Sequence, residues 1–178
     1  LPPQRHEVLR GARRRPRARN VPDCVAGDAV AHAAIEKCVN LMKEKTVAAK
    51  GRVIKTIGDA FMVRFRSAEN GVQCAMDCQK GIAEYNKAKP DGDQFHIRIG
   101  LHMGEVIHTG TDVFGEGVNI AARIEPKADP DGICVSDAIA NAVRNATGAT
   151  IRSLPLHPHR VLAALEAHTA GRKIGRAH

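Results

Sequence analysis

The chain is 178 residues long, and 43% of its residues are hydrophobic while 26% are charged, a composition typical of one globular domain. No apolar run is long enough to span a membrane, and the first residues lack the apolar core of a signal peptide. The five cysteines are odd in number and lack metal-site spacing, which argues against a secreted disulfide framework. We therefore expect a cytoplasmic protein without a membrane segment.

The net charge of +8 is concentrated at the two ends of the chain. Residues 1–19 hold seven arginines against one glutamate, and residues 155–178 hold three arginines and one lysine against one glutamate. The segment between them is close to neutral and has no basic stripe. An arginine-rich arm can grip nucleic acid, but these ends lack interleaved aromatic residues. We favour solvated basic tails and do not expect a nucleic-acid partner.

Three segments follow from this composition. Residues 1–26 are rich in arginine and proline and poor in large apolar side chains, so we predict a disordered basic arm. Residues 27–154 show the apolar periodicities of a folded domain. Residues 155–178 return to proline, histidine and arginine, and their one helix-like run, residues 161–167, predicts weak packing at most.

Capping residues predict two helices on either side of a hairpin. Asp28 is placed to cap a first helix that ends near Gly51, and Ser67 is placed to cap a second that ends at the turn of residues 90–92. On the second helix, Cys74 and Cys78 are expected to pack as buried thiols rather than to form a redox pair.

The hairpin between these helices is predicted by the segment GRVIKTIGDAFMVRF, residues 51–65. Gly58 can adopt the positive φ that a tight turn requires, and this leaves Asp59 at the tip as a candidate ligand for a metal or a substrate. The alternative is that Gly-Asp is simply a favourable turn. For an isolated hairpin that alternative is the stronger interpretation.

Strict alternation of apolar residues predicts a half-buried strand over residues 95–103. The other face of this strand carries His96, Arg98 and His102. A polar turn is predicted over residues 108–112.

A helix is predicted after this turn, and Asn119 and Arg123 share one of its faces because they are four residues apart. A short strand over residues 133–135 and a helix capped by Ser136 and ending near Asn145 complete the predicted domain.

Other chemistries find little support. The Gly-Glu-Gly of residues 115–117 lacks the third glycine of a dinucleotide-binding loop, and the chain has no GxxxxGK[ST] phosphate loop. The nine histidines form no HExxH motif and no cysteine–histidine cluster, so a zinc site is not expected. His102 and His108 are candidate bases near a strand end, but structural or surface roles are the stronger interpretation.

Four segments, taken in order, resemble the catalytic domain of the class III nucleotidyl cyclases, the adenylate and guanylate cyclases. These segments are GRVIKTIGDAFMVRF, FHIRIGLHMGEVI, TDVFGEGVNIAARIE and DGICVSDAI. The resemblance covers residues 27–154 and is greatest to the bacterial homodimeric kind. It implies an α/β fold with a ferredoxin-like core, an antiparallel sheet and flanking helices. It also implies two sites at a head-to-tail interface with a second copy or another cyclase domain.

The resemblance further implies an adenylate cyclase that converts ATP to cyclic AMP and pyrophosphate in intracellular signal transduction. Asp59 resembles one of two aspartates that hold a pair of Mg²⁺ or Mn²⁺ ions. Lys55 and Asp112 resemble the pair that reads the base, and their polarity favours adenine over guanine. Asn119 resembles the residue that orients the ribose. Arg123 resembles the residue that stabilises charge developing at the α-phosphate.

Two departures from the family pattern accompany this resemblance. The first metal aspartate is expected where this chain has Arg13–Arg17, and no carboxylate is present there. The closing strand, with a lysine that contacts the triphosphate, is expected after Leu154, where Lys173 lacks a matching context. The alternative function is therefore a catalytically impaired cyclase-like domain that binds a nucleotide or a partner subunit. A further hypothesis is that both ends are read out of frame.

Overall fold

The computed structural model describes residues 5–14, 24–57, 60–90, 93–109 and 112–147. Within these ranges the helices are α1 (Cys24–Ala48), α2 (Ala68–Lys87), α3 (Glu116–Ile124) and α4 (Asp137–Thr147), with a 3₁₀ helix at Glu125–Lys127. The strands are β1 (Arg5–Arg14), β2 (Arg52–Ile57), β3 (Ala60–Phe65), β4 (His96–Glu105), β5 (Ile107–Thr109), β6 (Asp112–Phe114) and β7 (Ile133–Val135). The mixed α/β class expected from the sequence is confirmed.

The described strands form a main sheet in the order β2-β3-β1-β4-β7, and β5 pairs with β6 in a separate two-stranded sheet. Neighbours in the main sheet are antiparallel except β4 and β7, which are parallel. Residues 155–178, including the run predicted at 161–167, lie outside the described residues.

Strand β1 corrects the prediction of a disordered arm over residues 1–26. Residues 5–14 instead form the middle strand, which pairs with β3 on one edge and along all ten residues with β4 on the other. A composition rich in arginine and proline indicates only that few side chains can be buried. A strand between two others also gains backbone hydrogen bonds along both edges, and these do not depend on side-chain type.

One face of the sheet carries the main hydrophobic core. Alternate residues of β3 and β4 point into it, and α1, α2 and α4 cover them. The fully buried strand residues in this core include Phe61, Val63, Phe65, Ile97, Ile99 and Leu101. Cys74 and Cys78 are buried here with their Sγ atoms 4.0 Å apart, as expected for packed thiols.

Several element boundaries follow the sequence prediction and others differ. The Ser67 cap is confirmed, because its Oγ accepts a hydrogen bond from the Asn70 backbone amide at 3.3 Å. Helix α1 begins at Cys24, four residues before the predicted cap at Asp28. The Ser136 side chain does not cap α4, since its buried Oγ has no hydrogen-bond partner among the described residues. The turn predicted over residues 108–112 is shorter than expected, because residues 108, 109 and 112 belong to the paired strands β5 and β6.

Two buried amides anchor β4 to α2. The Asn86 side chain donates to the Phe95 carbonyl at 2.7 Å and accepts from the Phe95 amide at 2.9 Å, so it satisfies both backbone groups at the entry to the strand. The Gln79 side chain donates to the carbonyls of Ile97 and Gly132, at 3.2 and 3.1 Å. These bonds hold β4 and the loop before β7 in register with α2.

The opposite face of the sheet is covered by α3 and the 3₁₀ helix, which lie directly on β4. A Cβ atom at Gly100 would lie 2.6 Å from the Glu125 backbone nitrogen, a distance that no side chain tolerates. A Cβ atom at Gly104 would lie 3.2 Å from the Gly117 Cα. Two glycines on one face of β4 therefore set how closely α3 approaches the sheet.

Replacing Asn86 by alanine should lower the free energy of unfolding by about 1–3 kcal/mol, because both backbone groups of Phe95 then lose their buried partner. Urea unfolding followed by circular dichroism measures this loss. Asn145→Ala is the matched control, since Asn145 is exposed on α4 and should change stability by no more than about 0.5 kcal/mol. Equal losses in the two variants would contradict the role assigned to Asn86.

Candidate active site

Lys55 and Asp112 form an ion pair on the face of the sheet opposite the main core. The Lys55 Nζ donates to the Asp112 Oδ2 at 2.6 Å, and the two side chains are 33% and 31% exposed. These residues are 57 positions apart in sequence. Both were identified from the sequence as a base-reading pair, and the fold brings them together.

A β-bulge places Lys55 on this face. Val53 lies opposite Val63 in the main core, whereas Lys55 lies opposite Met62 because the register shifts between Val53 and Lys55. Simple alternation would have put Lys55 on the same face as Val53, against the apolar core. The extra residue of the bulge, Ile54, thus turns the ammonium group toward Asp112.

Asp112 is held from its own strand as well as by the lysine. The Val113 backbone amide donates to Asp112 Oδ1 at 2.7 Å, so each carboxylate oxygen has a donor. The pKa of Asp112 lies below its ordinary value. The hydrogen bond from Lys55 is the larger cause and the hydrogen bond from the Val113 amide is the second, while partial burial opposes the shift. Asp112 is therefore an ionised acceptor at neutral pH.

Phe114 lies next to this pair and leaves a flat apolar surface beside it. The Lys55 Nζ lies 5.1 Å from the centroid of the Phe114 ring, within range of a cation–π contact. Phe114 is 50% exposed and occupies the same face of β6 as Asp112, two residues away. Phe114 was not among the site residues predicted from the sequence. The segment was predicted as a loop, and only its strand conformation places Phe114 on the same face as Asp112.

Helix α3 carries the other two predicted site residues. Asn119 and Arg123 are both exposed and lie four residues apart, and the intervening Ala121 is fully buried. Gly115 precedes the helix with φ of 125°, a left-handed conformation that favours glycine. Both polar side chains therefore project from the outer face of a helix whose inner face is packed on the sheet.

A second, smaller hydrophobic cluster joins the two halves of this site. Val113 follows Asp112 in β6, and Ala121 lies between Asn119 and Arg123 in α3. The cluster consists of the buried residues Met62, Val106, Val113 and Ala121, with Ile54 and Val118 packed against it. The Lys55–Asp112 ion pair and the α3 residues thus rest on one shared apolar cluster.

The predicted metal ligand Asp59 lies outside the described residues, as does Gly58. The described part of the hairpin confirms its strands, and the register shows what surrounds its tip. Ala12 of β1 lies opposite Ala60, so arginines at positions 13 and 14 continue β1 beside the turn. Glu7, the one carboxylate of β1, lies opposite Phe65 at the far end of the strand.

These positions do not provide the two carboxylates of a two-metal site. Among the described residues, no group of three or more His, Cys, Asp or Glu side chains is arranged to hold a metal ion. The metal aspartate that the resemblance implies has no counterpart at positions 13 and 14, where β1 carries arginines. Asp59 is the carboxylate that the sequence predicts at the tip of this hairpin.

Residues 27–153 match the family model described as the adenylate and guanylate cyclase catalytic domain. The chain belongs to this cyclase family. Over 98 residues, 55% of the chain, it is 42% identical to "Putative adenylate cyclase 3" of Rhizobium meliloti, and over 96 residues, 53% of the chain, it is 32% identical to "Adenylate cyclase" of Glutamicibacter nicotianae. These matches span 17% and 22% of the length of the two relatives.

The fold of the cyclase domain also matches a solved structure. The adenylate/guanylate cyclase/hydrolase from Silicibacter pomeroyi superposes with a TM-score of 0.69 over 86% of this chain and 87% of that one, at 24% identity. At this level of identity the match establishes the fold and leaves the substrate to other arguments. Within the described residues no helix combines the length and apolar character needed to cross a bilayer.

Replacing Lys55 by alanine should raise the pKa of Asp112 toward that of an exposed aspartate, about 3.9, because its strongest stabilising partner is gone. Carboxyl carbon NMR titration of Asp112 measures the change. In the wild type, folding lowers the pKa of Asp112. The ionised Asp112 carboxylate therefore stabilises the folded protein above about pH 4, and this stabilisation is lost as the pH falls through the pKa of Asp112 in the folded state.

The matched control is Lys87→Ala, which removes an exposed lysine that pairs with Glu84 on α2. This variant should leave the Asp112 titration where it is in the wild type. If the Asp112 carbon titrates identically in Lys55→Ala and in the wild type, the ion pair does not exist in solution.

Proposed function

We propose that this cyclase domain is an adenylate cyclase that converts ATP to cyclic AMP and pyrophosphate. The observation that supports this most directly is the 2.6 Å ion pair between Lys55 and Asp112, which is partly exposed on the face that also carries α3. Members of this family are named for cyclising adenine or guanine nucleotides. The choice between the two bases therefore depends on which donors and acceptors the site presents.

The polarity of the pair suits adenine. The Lys55 ammonium is a donor and fits the adenine N1 acceptor, while the Asp112 carboxylate is an acceptor and fits the N6 amino group. Guanine presents a donor at N1 and an acceptor at O6, so the same pair would face it with two mismatched groups. A buried or half-buried mismatch of this kind costs far more than a missing contact, and this cost makes the pair selective.

Asn119 and Arg123 are proposed to act on the ribose and the phosphates. In the reaction the ribose 3′-oxygen bonds to the α-phosphorus, the bond from that phosphorus to the bridging oxygen breaks, and pyrophosphate leaves with the electron pair. The 3′-hydroxyl proton passes to solvent. Asn119 would orient the ribose, and the Arg123 guanidinium would donate to the α-phosphate oxygens as their charge increases.

The cation requirement is the part of the family mechanism that this chain supports least. We propose that Asp59 and the substrate phosphates hold a Mg²⁺ or Mn²⁺ ion, because β1 offers arginines where a second carboxylate would be needed. This substitution favours a specific alternative function, namely an impaired cyclase domain that binds ATP and regulates a partner. Assembly as a homodimer or with another cyclase domain is part of both proposals.

The first test measures cyclic AMP formed from ATP with Mn²⁺ by the wild type, Lys55→Ala and Arg123→Ala, with GTP as the competing substrate. Lys55→Ala should raise KM for ATP about 10- to 100-fold and reduce the preference over GTP, since a charge-assisted contact is lost. Arg123→Ala should lower kcat about 100- to 1,000-fold with a smaller change in KM, as expected when a transition-state donor is removed. Wild-type protein that prefers GTP would overturn the assignment.

The second test separates catalysis from binding alone. Asp59→Ala should abolish Mn²⁺-dependent cyclic AMP formation, whereas Asp137→Ala, which removes an exposed carboxylate on α4, should not. Calorimetric titration with a non-hydrolysable ATP analogue provides the binding readout. Wild-type protein that binds the analogue but releases no cyclic AMP would favour the regulatory alternative over the cyclase.

A further inference from the structure

His102 occupies the one side-chain position between the two glycines on which α3 and the 3₁₀ helix rest. Gly100, His102 and Gly104 follow each other on the same face of β4. The backbone at Glu125 covers the first glycine and the backbone at Gly117 covers the second. The imidazole therefore lies under the segment of chain that carries Asn119 and Arg123.

His102 is partly exposed, and its ring lies beside the place where α3 meets β4. A Cβ atom at Gly104 would come within 2.8 Å of the His102 Nε2 atom and within 3.2 Å of the Gly117 Cα. The ring and the first turn of α3 thus lie on the same side of Gly104, and a side chain at position 104 would press against both. The Nδ1 atom is buried and has no hydrogen-bond partner among the described residues.

We infer that His102 is a positioning residue whose neutral imidazole supports the first turn of α3 on β4 and so fixes where Asn119 and Arg123 project. This inference rests on the proposed function for its catalytic consequence, but the support itself is a property of the fold. A neutral ring can leave Nδ1 as an unpaired acceptor at modest cost. A protonated ring would bury a charge and an N–H group that lacks an acceptor.

The surrounding charges are consistent with a neutral ring. Burial lowers the pKa of His102, while the carboxylate of Glu116 on α3 opposes that shift. Strand β1 places Val8 opposite His102, with His6 and Arg10 at the register positions beside it. Arg98 lies on the same face of β4, and the 3₁₀ helix contributes Glu125 and Lys127.

The direction of the pH effect follows from the lowered pKa. Above the ordinary histidine value of about 6.5 the ring is neutral in both states and His102 imposes no penalty. As the pH falls below that value the unfolded or detached form takes up a proton first, so the support for α3 is progressively lost. At pH 5.5, one unit lower, the opening of α3 should increase up to about tenfold.

Amide hydrogen exchange at pH 7.5 and 5.5, corrected for intrinsic rates, tests this directly in the wild type. Peptides that cover α3 should lose up to about tenfold in protection at pH 5.5, whereas peptides that cover α2 serve as the internal reference and should not. His102→Gln and His102→Phe cannot titrate in this range, so the acid-induced loss should disappear in whichever of them folds. His96→Gln is the matched control, because His96 is on the same face of β4 but is exposed and paired with Asp131.

Activity adds a second readout. In His102→Ala, kcat for cyclic AMP formation should fall at least tenfold with a smaller change in KM for ATP, because Lys55 and Asp112 are carried by β2 and β6 rather than by α3. In His102→Gln, kcat should be largely restored and its acid limb lost. Wild-type α3 whose protection does not depend on pH, or a variant that keeps the full acid response, would overturn the inference. Wild-type protein without cyclase activity would instead count against the proposed function, and the exchange result would still decide the role of His102.

Discussion

The close approach of α3 and the 3₁₀ helix to β4 is the constraint on which the candidate site depends. Gly100 lies against the Glu125 backbone so tightly that no Cβ atom fits, and Gly104 leaves room for both His102 and Gly117. This contact fixes the helix that carries Asn119 and Arg123. The opposite face of the same strand carries Ile97, Ile99 and Leu101 in the main core. Strand β4 is therefore held from both sides, and a site built on it is held with it.

The ion pair between Lys55 and Asp112 connects the small β5–β6 sheet to the main sheet. Each charged group satisfies the other in the absence of a base, and the Val113 amide satisfies the second carboxylate oxygen. Neither group is deeply buried, so the pair avoids the desolvation cost of an interior salt bridge. In the proposed function the base would have to separate two groups that already bind each other. Discrimination would then come from whether the incoming base can replace both contacts.

The resemblance to the cyclases implies a metal-binding aspartate near the hairpin turn, and this chain has arginines in that part of its sequence. Backbone pairing gives β1 the central place in the sheet, yet its residues next to the hairpin turn are arginines. A strand can occupy such a place whatever its side chains, because the sheet is joined through main-chain groups. The place of β1 in the fold therefore does not depend on which side chains it carries at this end. This separation of fold from chemistry is the reason that the regulatory alternative stands beside the cyclase.

The sequence by itself determined the local elements of this protein. Apolar runs on either side of a Gly-Asp turn predicted the hairpin strands, and alternation predicted β4. The Ser67 cap marked the start of α2, and the spacing of Asn119 and Arg123 placed both on one helical face. These features depend on neighbours in sequence, which a pattern can report. The tertiary structure alone decided the place of β1, the bulge that turns Lys55 away from the core, the contact of Lys55 with Asp112 and the position of His102 beside α3. Those features depend on close contacts between segments far apart in the chain. The hydrophobic periodicity of a single segment therefore cannot predict them.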